Sequence, residues 1–284
     1  MINVATIKNA REQINNWKKQ GLTIGLVPTM GFLHKGHISL IEKAKMENDR
    51  VVVSIFLNPI QFSPNEDYEK YPKDIKKDVQ MCENAKTDMV FCPTVSEMYQ
   101  TKNLAYINVN ELSNNLCGAK RQGHFKGVCT VVAKLFNILT PNKAYFGQKD
   151  AQQLILIKKM AEDLNFNIEI VACPIVREKD GLAMSSRNSY LSKEQRQSAI
   201  ILYKSLEKAK TLLESGQQNA DIIIKEITKE INKEPLARID YVEIVDQTNL
   251  QKVNEINMQV IVALAVFIGK VRLIDNIFFK EINR

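Results

Sequence analysis

Two of the three histidines in this 284-residue chain lie in one tetrapeptide, His34-Lys35-Gly36-His37. They follow a short apolar run that ends in Pro28-Thr29-Met30-Gly31, and they open an amphipathic pattern carried by Ile38, Leu40, Ile41 and Ala44. Where a strand turns into a helix, the first N–H groups lack intrahelical partners and the helix dipole favours an anion. Gly31 and Gly36 would let a phosphate approach bare backbone. His34 and His37 would donate hydrogen bonds to its oxygens, most strongly as negative charge builds there in a transition state. The expected role is electrostatic rather than nucleophilic; the bland reading is a surface turn and a helix cap. The spacing Gly31-x-x-x-x-Gly36 is that of a P-loop, but His37 and Ile38 stand where that motif needs Lys and Ser or Thr.

Other segments carry related chemistry. Asn58-Pro59-Ile60-Gln61-Phe62 offers two neutral amides that suit a polyol or hydroxy acid, or it is a turn fixed by Pro59. Gly147-Gln148-Lys149-Asp150 is a second glycine-bearing corner, now with a cation, while Asp150-Ala151-Gln152-Gln153 also reads as a capping box. In Leu182-Ala183-Met184-Ser185-Ser186-Arg187 two hydroxyls precede one fixed cation, which is what a triphosphate tail requires. Arg121-Gln122-Gly123-His124-Phe125-Lys126-Gly127 is a further anion contact, a lid hinge or an ordinary loop.

These groups need elements to hold them. Apolar periodicity predicts helices over Lys8–Lys19, from His37, over Asp74–Ala85, Val128–Leu139, Ala151–Leu164, Lys193–Ser215 and Asp221–Ile231. Strands are expected at Leu22–Val27, Val51–Leu57, Met89–Cys92, Ala105–Val109, Lys143–Phe146 and Asn167–Ala172, then at Ile239–Val245, Gln259–Phe267 and Val271–Phe279. Asn115–Gly123 reads as a polar, flexible connection. Strand–helix–strand alternation up to about residue 175 predicts a parallel sheet with helices on both faces, with ligands at the carboxyl ends of its strands. The texture changes after Ser192, and with a boundary near residue 175, residues 176–284 are expected to form a smaller α+β domain.

Composition narrows the class. With 45% hydrophobic and 25% charged residues the chain is an ordinary globular sequence. Its net charge of +7 is spread along helical faces with no dense basic run. Such a balance suits nucleic acid, a membrane or anionic substrates, and acidic small molecules fit at least as well as nucleic acid, so the expected partners are small molecules, with no nucleic acid and no membrane. The N-terminus has no secretory pattern, and Val260–Ile268 is about half the length of a membrane span, so a cytoplasmic enzyme is expected. Five cysteines without a C-x-x-C pair argue against structural zinc or a disulfide framework.

The strings PTMGFLHKGH, NPIQF, GHFKGV, FGQKDAQQL and GLAMSSRNSYLS, in this order, resemble the pantoate-β-alanine ligase (pantothenate synthetase) family over essentially the whole chain. The resemblance implies a Rossmann-type nucleotidyltransferase domain related to class I aminoacyl-tRNA synthetases over residues 1–175, with His34 to His37 similar to their HIGH sequence and Met184 to Arg187 to their KMSKS loop. It implies a C-terminal lid over 176–284 and a homodimer. The implied reaction forms pantoyl adenylate and pyrophosphate from pantoate and ATP, after which β-alanine displaces AMP; Mg2+ accompanies ATP, with no residue assigned as its direct ligand.

By matching motif, Met30, Gly31, His34, Gly36 and His37 resemble one side of the ATP site, with His37 as proton donor. Gly147, Lys149, Asp150, Val176, Met184, Ser185, Ser186 and Arg187 resemble the remaining nucleotide contacts, and His34, His37, Lys149 and Arg187 are the candidate catalytic groups. Gln61 and Gln153 resemble the glutamines that hold pantoate; Asn58, Tyr71 and Arg121 join them as candidate substrate contacts. Cys117 stands where many relatives carry glutamate.

Chemistry is consistent with these assignments. A pantoate carboxylate with a pKa of roughly 4 is already a nucleophile at neutral pH, so the first step needs charge neutralisation and no base. The β-alanine amine, with a pKa near roughly 10, must lose a proton, and the sequence shows no clear base for it. Rival readings are another nucleotidyl transferase of the same superfamily, a tRNA synthetase, for which there is no room for an anticodon-reading domain, and a non-catalytic nucleotide sensor or RNA-binding module.

Overall fold

The computed structural model describes residues 1–64 and 66–280. In chain order the elements are β1 (Ile2–Val4), α1 (Ile7–Lys19), β2 (Ile24–Thr29), α2 (Lys35–Glu47), β3 (Arg50–Ile55), α3 (Ile75–Asn84), β4 (Met89–Phe91), α4 (Val95–Met98), α5 (Leu116–Lys120), α6 (His124–Leu139), β5 (Lys143–Gly147), α7 (Ala151–Asp163) and β6 (Glu169–Cys173). They continue with α8 (Lys193–Ser198), α9 (Ile201–Glu214), α10 (Ala220–Ile231), β7 (Ala237–Asp246), β8 (Val260–Ile268) and β9 (Val271–Phe279). The chain forms two compact units. The first comprises Met1–Ser113, Arg121–Gln148 and Gln153–Pro174; the second takes Asn114–Lys120, Lys149–Gln152 and the chain from Ile175 onward.

The first unit is built on a six-stranded sheet of order β1-β4-β3-β2-β5-β6, with every pairing parallel. β2 and β3 run in register from Ile24 opposite Arg50 to Thr29 opposite Ile55. Both are buried along nearly their whole length, as expected of β-branched strands covered on two faces. Val27, Val51, Val53, Val90 and Tyr145 face one way and pack with Leu40, Ile41 and Ala44 of α2 and Cys82 of α3. On the other side α6 lies on β2 and against α1. Strand order reverses between β2 and its two neighbours, β3 and β5, so the carboxyl ends of β2 and β5 flank a topological switch point. Those ends are Thr29 and Gly147, where the two glycine-bearing corners begin.

The second unit is a three-stranded antiparallel sheet, β7-β8-β9, packed with helices. Val260, Val262, Leu264, Val266 and Ile268 project from one face of β8 onto Leu202, Leu206 and Leu213 of α9 and Ile223, Ile227 and Ile231 of α10. Each such apolar side chain, fully buried, contributes about 1.5–3 kcal/mol of transfer free energy. The longest apolar run of the chain is thus a central strand. No described helix is long and apolar enough to cross a membrane.

Several expectations are corrected. Ala105–Val109 is no strand: Ile107 N–H donates to the Thr130 hydroxyl at 3.0 Å in place of a ladder partner. The polar stretch after Asn115 folds into α5, because Leu116 and Cys117 are buried and tertiary packing overrides its composition. The long helix expected from Lys193 is two helices, broken where Ile200 N–H bonds to Gln197 O in a tight i,i+3 turn. Helix α6 begins at His124, four residues before the apolar run, behind Gly123 in the left-handed region at φ 80°. The edge strand β1 was not apparent at all.

Candidate active site

The histidine corner grows directly out of β2. Gly31 has φ +89°, a conformation that glycine adopts without strain, and Phe32 follows at φ 52°. Its missing Cβ is also needed for packing, since an added one would lie 3.1 Å from Asp78 Oδ2 and 3.2 Å from Ile55 Cγ2. His34 caps α2: its Nδ1 accepts from Gly36 N–H at 3.1 Å, while His34 N–H donates to His37 Nδ1 at 3.2 Å. The rings lie 4.1 Å apart, tilted by 40°. A ring nitrogen that accepts a hydrogen bond carries no proton, so in each neutral imidazole the proton is on Nε2. Capping therefore uses one edge of each ring, and the ring N–H lies on the other.

This corner differs from the bare phosphate cradle that its glycines led us to expect. Gly31 N–H donates to Thr29 Oγ1 (3.2 Å), Phe32 N–H to Asp78 Oδ2 (2.8 Å) and Leu33 N–H to Asp78 Oδ1 (2.7 Å). With His34 and Gly36 capped as above, five N–H groups of the turn are satisfied from within the chain. The groups suited to an anion here are imidazoles, not the backbone of these residues. Asp78, on α3 and only 2% exposed, accepts two of the five, one on each carboxylate oxygen. Burial pushes its carboxyl above the usual range, and the N–H donors of Leu33 and Phe32 partly offset that. Asp78→Asn keeps the shape but turns an NH2 toward a turn N–H. Despite the relief of charge burial, it is expected to destabilise the protein by about 1–3 kcal/mol, as measured by urea denaturation.

Gln61 sits in a short 3-10 turn, Pro59–Gln61, at the end of β3. Its Oε1 accepts from Asn58 Nδ2 (3.0 Å) and its Nε2 donates to Met30 Sδ (3.1 Å), a weak acceptor that a substrate oxygen can replace. Asn58, 1% exposed, also donates to Gly127 O (3.2 Å) and accepts from Tyr99 OH (2.8 Å). Both amide hydrogens of Asn58 are thus engaged, one of them in holding Gln61. His124 supports the same turn. Arg121 Nη1 lies 2.8 Å from His124 Nε2 and can only donate, so Nε2 accepts and Nδ1–H donates to Gln61 O at 2.8 Å. Arg121 in turn grips both oxygens of Glu66 at 2.7 Å. Burial raises the Glu66 carboxyl, but the hydrogen bonds and charge of Arg121, with His124, bring it below its ordinary value. Arg121 is therefore held by Glu66 and His124, and buried Tyr71 packs edge-on against Phe62 with centroids 6.2 Å apart.

Gln148–Asp150 is a 3-10 turn that runs straight into α7, and its Lys149 and Asp150 belong to the second unit. Ser185 precedes another 3-10 turn, Ser186–Tyr190, and its hydroxyl caps that turn by accepting from Arg187 N–H at 3.3 Å. Ser186 is buried, and Met184 N–H bonds to Val176 O at 3.0 Å.

The sequence profile of the family described as Pantoate-beta-alanine ligase matches residues 3–278. A curated pantothenate synthetase from Clostridium botulinum (strain 657) is 59% identical over 277 residues, which is 98% of this chain and 99% of that protein. The chain belongs to the pantoate-beta-alanine ligase family. A Clostridium acetobutylicum pantothenate synthetase is 58% identical over 95% of this chain and 96% of its own. Among solved structures, a pantothenate synthetase of Thermus thermophilus superposes with a TM-score of 0.93 at 40% identity, covering 98% of this chain and 99% of that one. The pantoate-beta-alanine ligase of Francisella tularensis, solved in complex with Beta-gamma ATP and beta-alanine, gives 0.81 at 40% identity, covering 98% and 97%.

Within this family member, the first unit brings together Met30, Gly31, His34, Gly36, His37, Asn58 and Gln61 around the ends of β2 and β3, with Gly147 at the end of β5. Half-buried Gln153 stands in the first turn of α7 and belongs to the same unit. Lys149, Asp150, Val176 and Met184 to Arg187 belong to the second. Cys117 is buried, with Sγ 3.2 Å from Tyr241 OH and 3.6 Å from Arg272 Nη1, whose charge is met by Asp240 at 2.8 Å. This thiol cannot do a carboxylate's work. Sequence reasoning missed Asp78 and the support given by His124 and Gly127. The one available signal was a glycine inside an apolar helix, a position that costs stability unless packing demands it.

Proposed function

We propose that the residues placed above divide the work of an ATP-dependent ligase that joins pantoate to β-alanine. The reaction runs in two steps, through pantoyl adenylate with release of pyrophosphate and then through displacement of AMP by the β-alanine amine. One observation carries the assignment of roles: His34 and His37 both spend Nδ1 on the α2 cap and so hold Nε2–H as the donor. A donor fixed before the reaction stabilises the charge that moves onto the phosphates as the pantoate carboxylate attacks. Gln61 and Gln153 bind pantoate; Lys149, Ser185, Ser186 and Arg187 bind the polyphosphate. No covalent enzyme intermediate is needed, because the carboxylate is itself the nucleophile.

Mg2+ accompanies ATP. No group of three or more His, Cys, Asp or Glu side chains that could hold a metal occurs among the described residues. In nucleotide sites Mg2+ is commonly coordinated by substrate phosphates and water with one or two carboxylates. When bound, it neutralises phosphate charge. A homodimer in the cytoplasm belongs to the same reading, and sedimentation would establish the assembly. The reaction itself is tested by isotope exchange. Labelled pyrophosphate should enter ATP only when pantoate is present; exchange without pantoate would refute the proposed order of steps.

A further inference from the structure

We infer that Asp275 and Asn276, neighbours on β9, are positioning residues that set the two nucleotide-handling segments of the second unit. The inference rests on the roles proposed above for Lys149 and for Met184 to Arg187. β9 pairs on one side with β8, and its other residues include Val271, Leu273, Ile274, Ile277 and Phe278. A carboxylate and an amide side by side in such a strand, 2% and 3% exposed, are costly unless they are hydrogen-bonded. Successive strand residues point to opposite faces, so one dipeptide can reach two different segments.

Asp275 holds the serine-arginine loop. Its two oxygens take a bidentate grip from Arg177, at 2.6 and 3.0 Å, the two-pronged geometry that makes an arginine–carboxylate pair directional. Asp275 Oδ1 also accepts from Asn276 N–H at 2.8 Å, which fixes the carboxylate itself. Arg177 bonds onward to Gly181 O at 3.0 Å, and its guanidinium lies 4.9 Å from the Tyr203 ring centroid. Arg177 pairs across a small hairpin with Ala183, closed by Glu178 N–H to Leu182 O at 2.8 Å. The return limb of that hairpin leads directly into Met184-Ser185-Ser186-Arg187.

Asn276 holds the lysine corner. Its Nδ2 donates to the main-chain oxygen of Lys149 at 2.9 Å. Three residues on, Gln152 Nε2 donates to Asn115 O at 2.7 Å and its Oε1 accepts from Gly118 N–H at 3.3 Å. The backbone that carries Lys149 is thus tied at both ends, and neither tie involves its ammonium. Asp275 and Asn276 act through other residues and need not touch the substrate.

The test is a pair of double-mutant cycles read by pantoate-dependent pyrophosphate exchange. Asn276→Ala should lower exchange about 10-fold, yet add less than about twofold when Lys149 is already alanine, because a residue that acts through Lys149 has nothing left to position. Arg177→Lys keeps the charge but loses the fork, and it should behave in the same way toward Arg187→Ala. In both single variants the KM for ATP should rise while that for β-alanine stays within about twofold, a split that general destabilisation would not produce. Losses that multiply in the double variants, equal shifts in both KM values, or single variants within about twofold of the parent would overturn the inference. If Asn276→Ala does not fold, as a melting curve would reveal, Arg177→Lys at its partly exposed position carries the test alone. Full exchange activity in Lys149→Ala and Arg187→Ala would instead refute the underlying site assignment, an outcome separate from any behaviour of Asn276.

Discussion

Replacement of His37 by alanine is expected to lower turnover about 10²-fold or more, with the fold retained. Two separate losses are predicted, because the ring caps a helix and, in the proposed mechanism, also donates to the phosphates. Removing Nδ1 uncaps His34 N–H, an acceptor lost at a helix start, which costs about 1 kcal/mol of stability. Removing Nε2–H takes away the donor to the developing charge. His37→Asn separates them, since an amide oxygen can replace Nδ1 at the cap but cannot reach as far as Nε2. The asparagine variant should keep the parent's urea midpoint and still show the full loss of turnover. Parent-like turnover in either variant would remove His37 from the mechanism; recovery of both stability and rate in His37→Asn would reduce it to a cap.

The second large effect is expected at Gly127, which touches no substrate in the proposed site. A Cβ there would lie 2.4 Å from Ile60 O, 2.6 Å from Gln61 Cα and 2.7 Å from Gln61 N. All three are backbone atoms of the turn that carries Gln61, so no flexible side chain can swing away. Alanine in a helix interior ordinarily gains up to about 1 kcal/mol over glycine. Here overpacking of about 1–3 kcal/mol or more opposes it, and the collision prevails. The turn must move, and with it the Asn58 and His124 bonds that hold Gln61. We therefore expect Gly127→Ala to lower the urea midpoint and to raise the KM for pantoate about 10-fold, with a smaller change for ATP. Unchanged stability together with an unchanged pantoate KM would contradict this account of α6 as the support for the turn.

Much of this protein could be read in order along its chain. The parallel sheet follows from β-branched runs separated by amphipathic helices, and the site segments follow from glycines, histidines, amides and cations placed where such strands end. Those signals are local: periodicity, corner chemistry and a motif fit within about ten residues. Hydrogen-bond partners are not local. Asp78 is 46 residues from the Phe32 N–H that it accepts from, Asn58 is 69 from Gly127, and Asn276 is 127 from Lys149.

Only the folded chain could decide that the histidine corner fills its own backbone donors and presents imidazoles, that Asn58 and Arg121 hold Gln61 and its support, and that Lys149 belongs with the C-terminal strands. The sequence by itself determined which chemical groups are available and which elements carry them. Tertiary structure decided which of those groups are already engaged, because a polar group in a buried place must find a partner and its partner can come from anywhere in the chain.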